Sequence, residues 1–433
     1  MILIKARKFS KLISIKRSNY LQDKKTNLSQ NILNLVNRDL LHIENHPLYI
    51  LKKRIENFFN QEFPGKFSSP STRFTLFDNI SPVVTENQNF DSLLVPTNHI
   101  SRSPSDTFYV NEQYLLRSHT SAHQSELIKN GMNSFLIAGD VYRRDEIDRT
   151  HYPAFHQIEG VRLFNYDQLF VNVKDYGNCI DLFESDVDLS EEIILKQEDL
   201  PVDKQTCHTL ETRSMLEFDL KRTLELMMQS LFRKKLKFRW VEAYFPFTHP
   251  SWELEICVDQ RSNKWLEILG CGVVRQEILK KNGVENKVGW AFGLGLERIA
   301  MHLFSIPDIR IFWTKDPGFY DQFSGALNEN IQYKPLSIFP ACPYDISFWL
   351  PSVTANTREL SNDMFEIVRN IGEDLVERVN LKDDFYDAKH DRRSLCFTIT
   401  YRSYERNLTH TEVSEIHKRI TEELVEKLNV KIR

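Results

Sequence analysis

No stretch of this 433-residue chain approaches the roughly 18 consecutive apolar residues of a membrane-crossing helix, so no membrane span is expected. Paired cysteines are missing too. The six present, Cys179, Cys207, Cys257, Cys271, Cys342 and Cys396, are scattered with no CxxC spacing. That argues against a zinc site or a disulfide framework and suits reduced thiols in a reducing compartment. The chain has no excess of positive charge. With a formal net charge of −4, any contact with RNA must come from local basic patches rather than a whole-protein field. Internal repeats are absent as well. What is present is apolar: 41% hydrophobic and 12% aromatic residues, enough to build a large core in two or three domains.

A local absence marks the start of the chain. Residues 1–22 contain no acidic side chain, the first being Asp23, yet carry Lys5, Arg7, Lys8, Lys11, Lys16 and Arg17 interleaved with Ile2, Phe9, Leu12, Ile13 and Ile15. A basic amphipathic segment of this kind predicts a mitochondrial presequence over 1–22, and hence a matrix location. Helical periodicity begins after His46-Pro47, with Leu48, Leu51, Ile55, Phe58 and Phe59 on one face and Asn45 as the expected cap. Strand-like runs follow at 74–77 and 83–85. Residues 178–205 are acidic and aperiodic and read as a surface insertion. Beyond the proline-marked boundary near 335, the pattern predicts strand 345–350, helix 362–371, strands 376–381 and 394–401, helix 412–428 and strand 430–432. That βαββαβ order is a ferredoxin-like topology, which by itself fixes no function.

Two segments carry chemistry. In residues 289–304, a strand ends in a glycine-rich turn and a helix follows, whose Leu296, Ile299, Ala300, Leu303 and Phe304 form the buried stripe. Arg298 lies off the stripe beside Gly293 and Gly295, where the backbone can approach a ligand and a guanidinium suits a triphosphate. A solvated Glu–Arg pair is the alternative. In residues 139–160, two strands flank a polar loop. Arg143 and Asp145 emerge at a strand end, His151 lies in the loop, and Phe155, Gln157 and Glu159 alternate along the returning strand. One face thereby offers a cation, an aromatic plate, an amide and a carboxylate: groups for a phosphate, a purine and an ammonium.

Arg143-x-Asp145 with His151 and Phe155 resembles motif 2 of the class II aminoacyl-tRNA synthetases. The run from Gly293 to Arg298 resembles their motif 3, and the stretch around Pro82 their motif 1. The runs 119–124, 155–160, 244–250 and 265–272 are similar to the phenylalanine branch of the class. The resemblance implies an α+β fold: a class II antiparallel-sheet catalytic core with helices over 23–335, and a ferredoxin-like anticodon-binding domain over 336–433. Asp145 stands where the family usually has glutamate. Core and anticodon unit share one chain, with no editing module.

The same resemblance implies ATP, L-phenylalanine and tRNA-Phe as partners. Arg143, His151 and Arg298 become the expected catalytic groups. Substrate contacts are expected from His119, Ser121, Ala122, His123, Gln124, Asp145, Thr150, Tyr152, Phe155, Gln157, Ile158, Glu159, Phe292 and Gly293, with Glu267 as the Mg2+ ligand. Phe245 and Phe247 would form a ring pocket with Ala291 at its far end. Arg392, Arg393, Arg402 and Arg406 would meet the anticodon, so removing the C-terminal unit should spare activation and abolish charging. With no sustained heptads, a monomer is expected. Two readings stay open: an adenylate-forming enzyme with another acceptor, and an inactive RNA-binding paralogue.

Overall fold

The computed structural model describes residues 12–62, 73–171, 181–184, 203–259, 264–329, 331–335 and 339–433. Most of the acidic insertion lies outside these residues. Gln205, its expected last residue, is buried, bonding the carbonyls of His249 and Val274 through its side chain. Among the described residues, no helix is long and apolar enough to cross a membrane.

The first element is not a loose leader. Strands β1 (Leu12–Ile15) and β2 (Ser18–Leu21) form an antiparallel hairpin turned at Lys16 and Arg17. Ile13 and Ile15 alternate inward and are 3% and 2% exposed in the main core. Tyr20 packs edge-on to Tyr114, and the Leu21 carbonyl accepts from Asn111. Residues 12–21, within the expected presequence over 1–22, thus bury apolar side chains in the main core.

Helix α1 (Pro47–Asn57) is capped by His46, not Asn45. The His46 side chain accepts from the Leu48 N–H, and proline occupies the first turn, where a missing donor costs nothing. Strands β3 (Thr75–Phe77), β6 (Ser134–Tyr142), β7 (Ala154–Phe164), β8 (Phe238–Phe245), β9 (Thr248–Asp259), β10 (Lys264–Val274) and β11 (Val288–Gly295) make a seven-stranded sheet ordered β3-β6-β7-β11-β10-β9-β8. Among its described pairs, β3–β6 is parallel and the others are antiparallel. The short pair β4 (Val83–Thr85) and β5 (Tyr114–Leu116) stands apart. Alternation divides the sheet. Trp290, Phe292 and Leu294 enter the main core with Ile158, beside Leu216, Leu220, Leu224 and Met228 of α2 (Leu210–Phe232). The intervening residues of β7 and β11 face the opposite side.

The C-terminal unit follows the predicted order: β12 (Cys342–Trp349), α3 (Thr357–Gly372), β13 (Val376–Asp387), β14 (Arg392–Tyr401), α4 (His410–Leu428) and β15 (Lys431–Ile432). The antiparallel order β15-β12-β14-β13 is the ferredoxin-like arrangement. Its core holds Phe348, Met364, Val368, Phe397, Ile399, Ile420 and Leu424, together with one residue from the N-terminal unit, Ile147.

Candidate active site

Register builds the floor of a cavity of about 660 Å³. Glu159 pairs with Gly293 and Gln157 with Gly295 across β7 and β11. A Cβ on either glycine would meet nothing within 4 Å, so their backbones stay open to a ligand. Phe155, Gln157 and Glu159 line the cavity, with Arg143, Asp145, Thr150, His151 and Tyr152 above them and Arg298 at the start of the helix 296–303. The expected stripe of that helix is buried, and Arg298 lies outside it.

Arg143 donates through Nε to the Ser118 carbonyl (2.8 Å), and its guanidinium lies 5.3 Å over the Phe155 ring. Burial lowers its pKa, with Asp145 opposing. Arg298 donates to the Glu267 carboxylate at 3.0 Å, and both side chains remain roughly half exposed. The hydrogen bond to Asp148 (2.8 Å) raises the His151 pKa. Burial pushes Glu159 up to about 7. One of its oxygens is weakly approached by Thr120 Oγ1 (3.4 Å), and the other has no partner. A buried carboxylate with one unpartnered oxygen on a cavity floor fits an incoming cation. Burial holds His119 neutral, at about 3, with Nδ1 free.

At the apolar end, Phe245 and Phe247 stack at 6.1 Å, and His119 lies 6.2 Å from Phe247. Ala291 closes the floor there, and Gly270 leaves room for Phe245: an added Cβ would come within 2.6 Å of that ring. Phe292 borders the cavity, but its ring stacks on Phe59 at 5.7 Å.

Four expected contacts fall outside the cavity wall. Ile158 is in the core, since period 2 turns it away from Gln157 and Glu159. Ala122 packs in a small apolar cluster. His123 bonds Arg117 at 3.0 Å, and Arg117 in turn pairs with Asp140. Gln124 is buried, without a partner for either side-chain atom. Sequence reasoning missed Glu253, which lines the cavity; burial and then the neighbouring Glu267 raise its pKa. The alternation from Trp252 to Ile256 in β9 was the available signal.

Two groups could hold a metal. Glu267 and Glu253 border the cavity, and their mutual repulsion makes them a fitting donor set for a hard cation. Glu146, Asp148 and His151 bring their ligand atoms within 4.8 Å of one another. On the C-terminal sheet, Arg392 lies 3.9 Å over Trp349, Arg393 pairs with Asp384, and Phe385 and Tyr386 are exposed, while Arg406, in the loop after β14, pairs with Glu412 of α4. Arg402, half-buried just after β14, forms an ion pair at 2.8 Å with Glu377, a carboxylate only 2% exposed.

A mostly antiparallel sheet, with an arginine and an aromatic plate on one strand pair and a glycine-rich turn leading to a second arginine, defines the catalytic core of a class II tRNA synthetase. The family described as tRNA synthetases class II core domain (F) matches residues 33–182 and 208–323, and the ferredoxin-fold anticodon binding domain matches 337–433. The mitochondrial phenylalanine–tRNA ligase of Mus musculus is 46% identical, the match covering 98% of this chain and 89% of that one. The Drosophila melanogaster protein described as a probable mitochondrial phenylalanine–tRNA ligase is 45% identical over 97% and 92% of the two chains. The Saccharomyces cerevisiae mitochondrial enzyme is 41% identical over 94% and 92%. The chain belongs to the family of mitochondrial phenylalanine–tRNA ligases.

Proposed function

We propose that this cavity activates L-phenylalanine with ATP and passes it to the 3′ end of mitochondrial tRNA-Phe. In the first step the amino-acid carboxylate attacks the α-phosphorus, and pyrophosphate leaves with the electrons of the broken P–O bond. In the second, a 3′-terminal ribose hydroxyl attacks the acyl carbon and AMP departs. Both reactants of the first step are anions, so catalysis amounts to cancelling charge and fixing geometry. Arg143 bridges the carboxylate and the α-phosphate. His151, whose protonated form the hydrogen bond to Asp148 favours, and Arg298 hold the outer phosphates, with Asp145 and Thr150 beside them. Phe155 and Arg298 take the two faces of adenine. His119 orients the carboxylate.

Glu159, with Gln157 and Ser121, receives the ammonium, while Phe245, Phe247 and Ala291 enclose the ring. The unpartnered Glu159 oxygen, buried on the floor of the cavity that Arg143 and Phe155 also line, carries this assignment. Class II enzymes use ATP with a divalent metal. We assign Mg2+, held by Glu267 and Glu253; when bound it neutralises charge on the leaving pyrophosphate.

The exposed Phe385, Tyr386 and Arg392, with the half-buried Trp349 and Arg393, offer aromatic faces and cations to unstacked anticodon bases, with Arg406 nearby in sequence. The enzyme works as a monomer in the mitochondrial matrix, and any removed leader ends before Leu12. Incubation with ATP and phenylalanine but no tRNA should give enzyme-bound phenylalanyl-adenylate. Adding mitochondrial tRNA should then convert it to phenylalanyl-tRNA; adenylate that never passes to tRNA would refute the transfer step.

A further inference from the structure

The loop 143–152 sits at the phosphate end of the cavity, and the C-terminal domain grips it at four points. Arg144 pairs with Asp363 at 3.1 Å. The Ile147 carbonyl accepts from the Val379 N–H at 2.8 Å, and its side chain is buried in the C-terminal core. Arg149 reaches Glu377 at 2.6 Å. Tyr152 donates its hydroxyl to Asp374 at 2.8 Å. Glu377 is almost wholly buried and also receives Arg402 and, at 4.0 Å, Arg310. Arg310 returns a bond to the Asp374 carbonyl at 3.0 Å.

From Tyr152 the contacts continue inward. Its ring stacks on Trp313 at 5.4 Å, Trp313 stacks on His156 at 5.5 Å, and His156 bonds at 2.7 Å to Glu297, the residue before Arg298. Arg358, on the C-terminal helix α3, itself lines the cavity. Within the loop, Asp148 bonds Thr150 and His151 and Asp145 accepts from the Glu146 N–H; from its own unit the loop is held at Arg144, which donates to the Asp106 and Pro104 carbonyls, and at the Arg149 carbonyl, which accepts from Ile309.

We propose that the docked C-terminal domain is a working part of the activation site, with Asp374 and Glu377 as positioning residues for the loop that carries Asp145, Thr150 and His151. This rests on the reading that the cavity binds ATP. It reverses the expectation that activation is independent of the C-terminal unit. A loop held from outside binds a triphosphate without first losing conformational freedom. Released, it must lose that freedom on each binding event, and the loss falls on ATP rather than on phenylalanine.

The test is phenylalanine-dependent ATP–pyrophosphate exchange by the full-length protein, without tRNA. Asp374→Ala and Arg149→Ala, at residues outside the cavity wall, should each raise KM for ATP tenfold or more and leave KM for phenylalanine within twofold. Asp374→Asn, whose amide oxygen still accepts from Tyr152, should restore the wild-type value. Near-ultraviolet circular dichroism selects the variants that fold, and the exposed position of Arg149 makes its variant the safer one. An unchanged KM for ATP in folded Arg149→Ala overturns the proposal, as does an equal rise in both constants. Wild-type protein that shows no phenylalanine-dependent exchange would instead overturn the functional reading.

Discussion

Glu159 gives the enzyme a pH dependence that can be worked out in advance. Burial raises its pKa from the usual 4.5 to about 7, so ionising it in the ligand-free site costs about 3 kcal/mol. The sign for stability follows. Between pH 4.5 and 7 the unfolded chain releases this proton and the folded chain keeps it, so the group's contribution to stability falls as pH rises through that window. An ammonium bound against the carboxylate offsets the cost, which means that phenylalanine selects the ionised form. Its apparent affinity should then weaken by the factor 1 + 10^(pKa − pH): about elevenfold at pH 6, twofold at pH 7 and hardly at all at pH 8. The assay is KM for phenylalanine in pyrophosphate exchange with ATP saturating. Glu159→Gln should flatten the profile and, through loss of a charge-assisted bond of about 1.5–3 kcal/mol, raise KM roughly 10- to 150-fold at pH 8. A wild-type KM that stays level from pH 6 to 8, or a glutamine variant within twofold of wild type, would refute the ammonium assignment.

Other expectations follow from the same geometry. Arg143→Ala should lower exchange by two or more orders of magnitude, through loss of about 3–4 kcal/mol of transition-state stabilisation, with circular dichroism unchanged. Because Asp148 raises the His151 pKa, deprotonation at higher pH should weaken ATP binding, opposite in direction to the phenylalanine effect; KM for ATP over pH 6–9 reads it. Ala291→Gly should admit para-chlorophenylalanine while keeping phenylalanine as substrate, and competition between the two in exchange measures the change. Ile15→Ala should remove about 2–5 kcal/mol of unfolding free energy, seen in denaturant titration, whereas a dispensable leader would show no change.

Much of the site was legible because local period carries it. The helix after Gly295 buries the predicted stripe, and the alternation of Phe155, Gln157 and Glu159 puts all three on the cavity floor. The same period turns Ile158 away, so its inclusion among substrate contacts came from the family resemblance and not from the strand. At the N-terminus, Ile13 and Ile15 alternate as strand residues, but the density of lysine and arginine outweighed that signal. Arg402 and Arg149 could not be read from sequence. Arg149 meets Glu377 across the domain boundary, 228 positions away, and Arg402 meets the same carboxylate from within the C-terminal unit; only the tertiary fold brings these charges together. Burial of Glu159, which sets its protonation, has the same origin.

The most direct test of the account is ATP–pyrophosphate exchange with each of the twenty amino acids. An apolar pocket rejects an added hydroxyl by only about 10²-fold, so phenylalanine should support by far the fastest exchange, with tyrosine a distant second. Faster exchange with any other amino acid would contradict the claim that this cavity is built for phenylalanine.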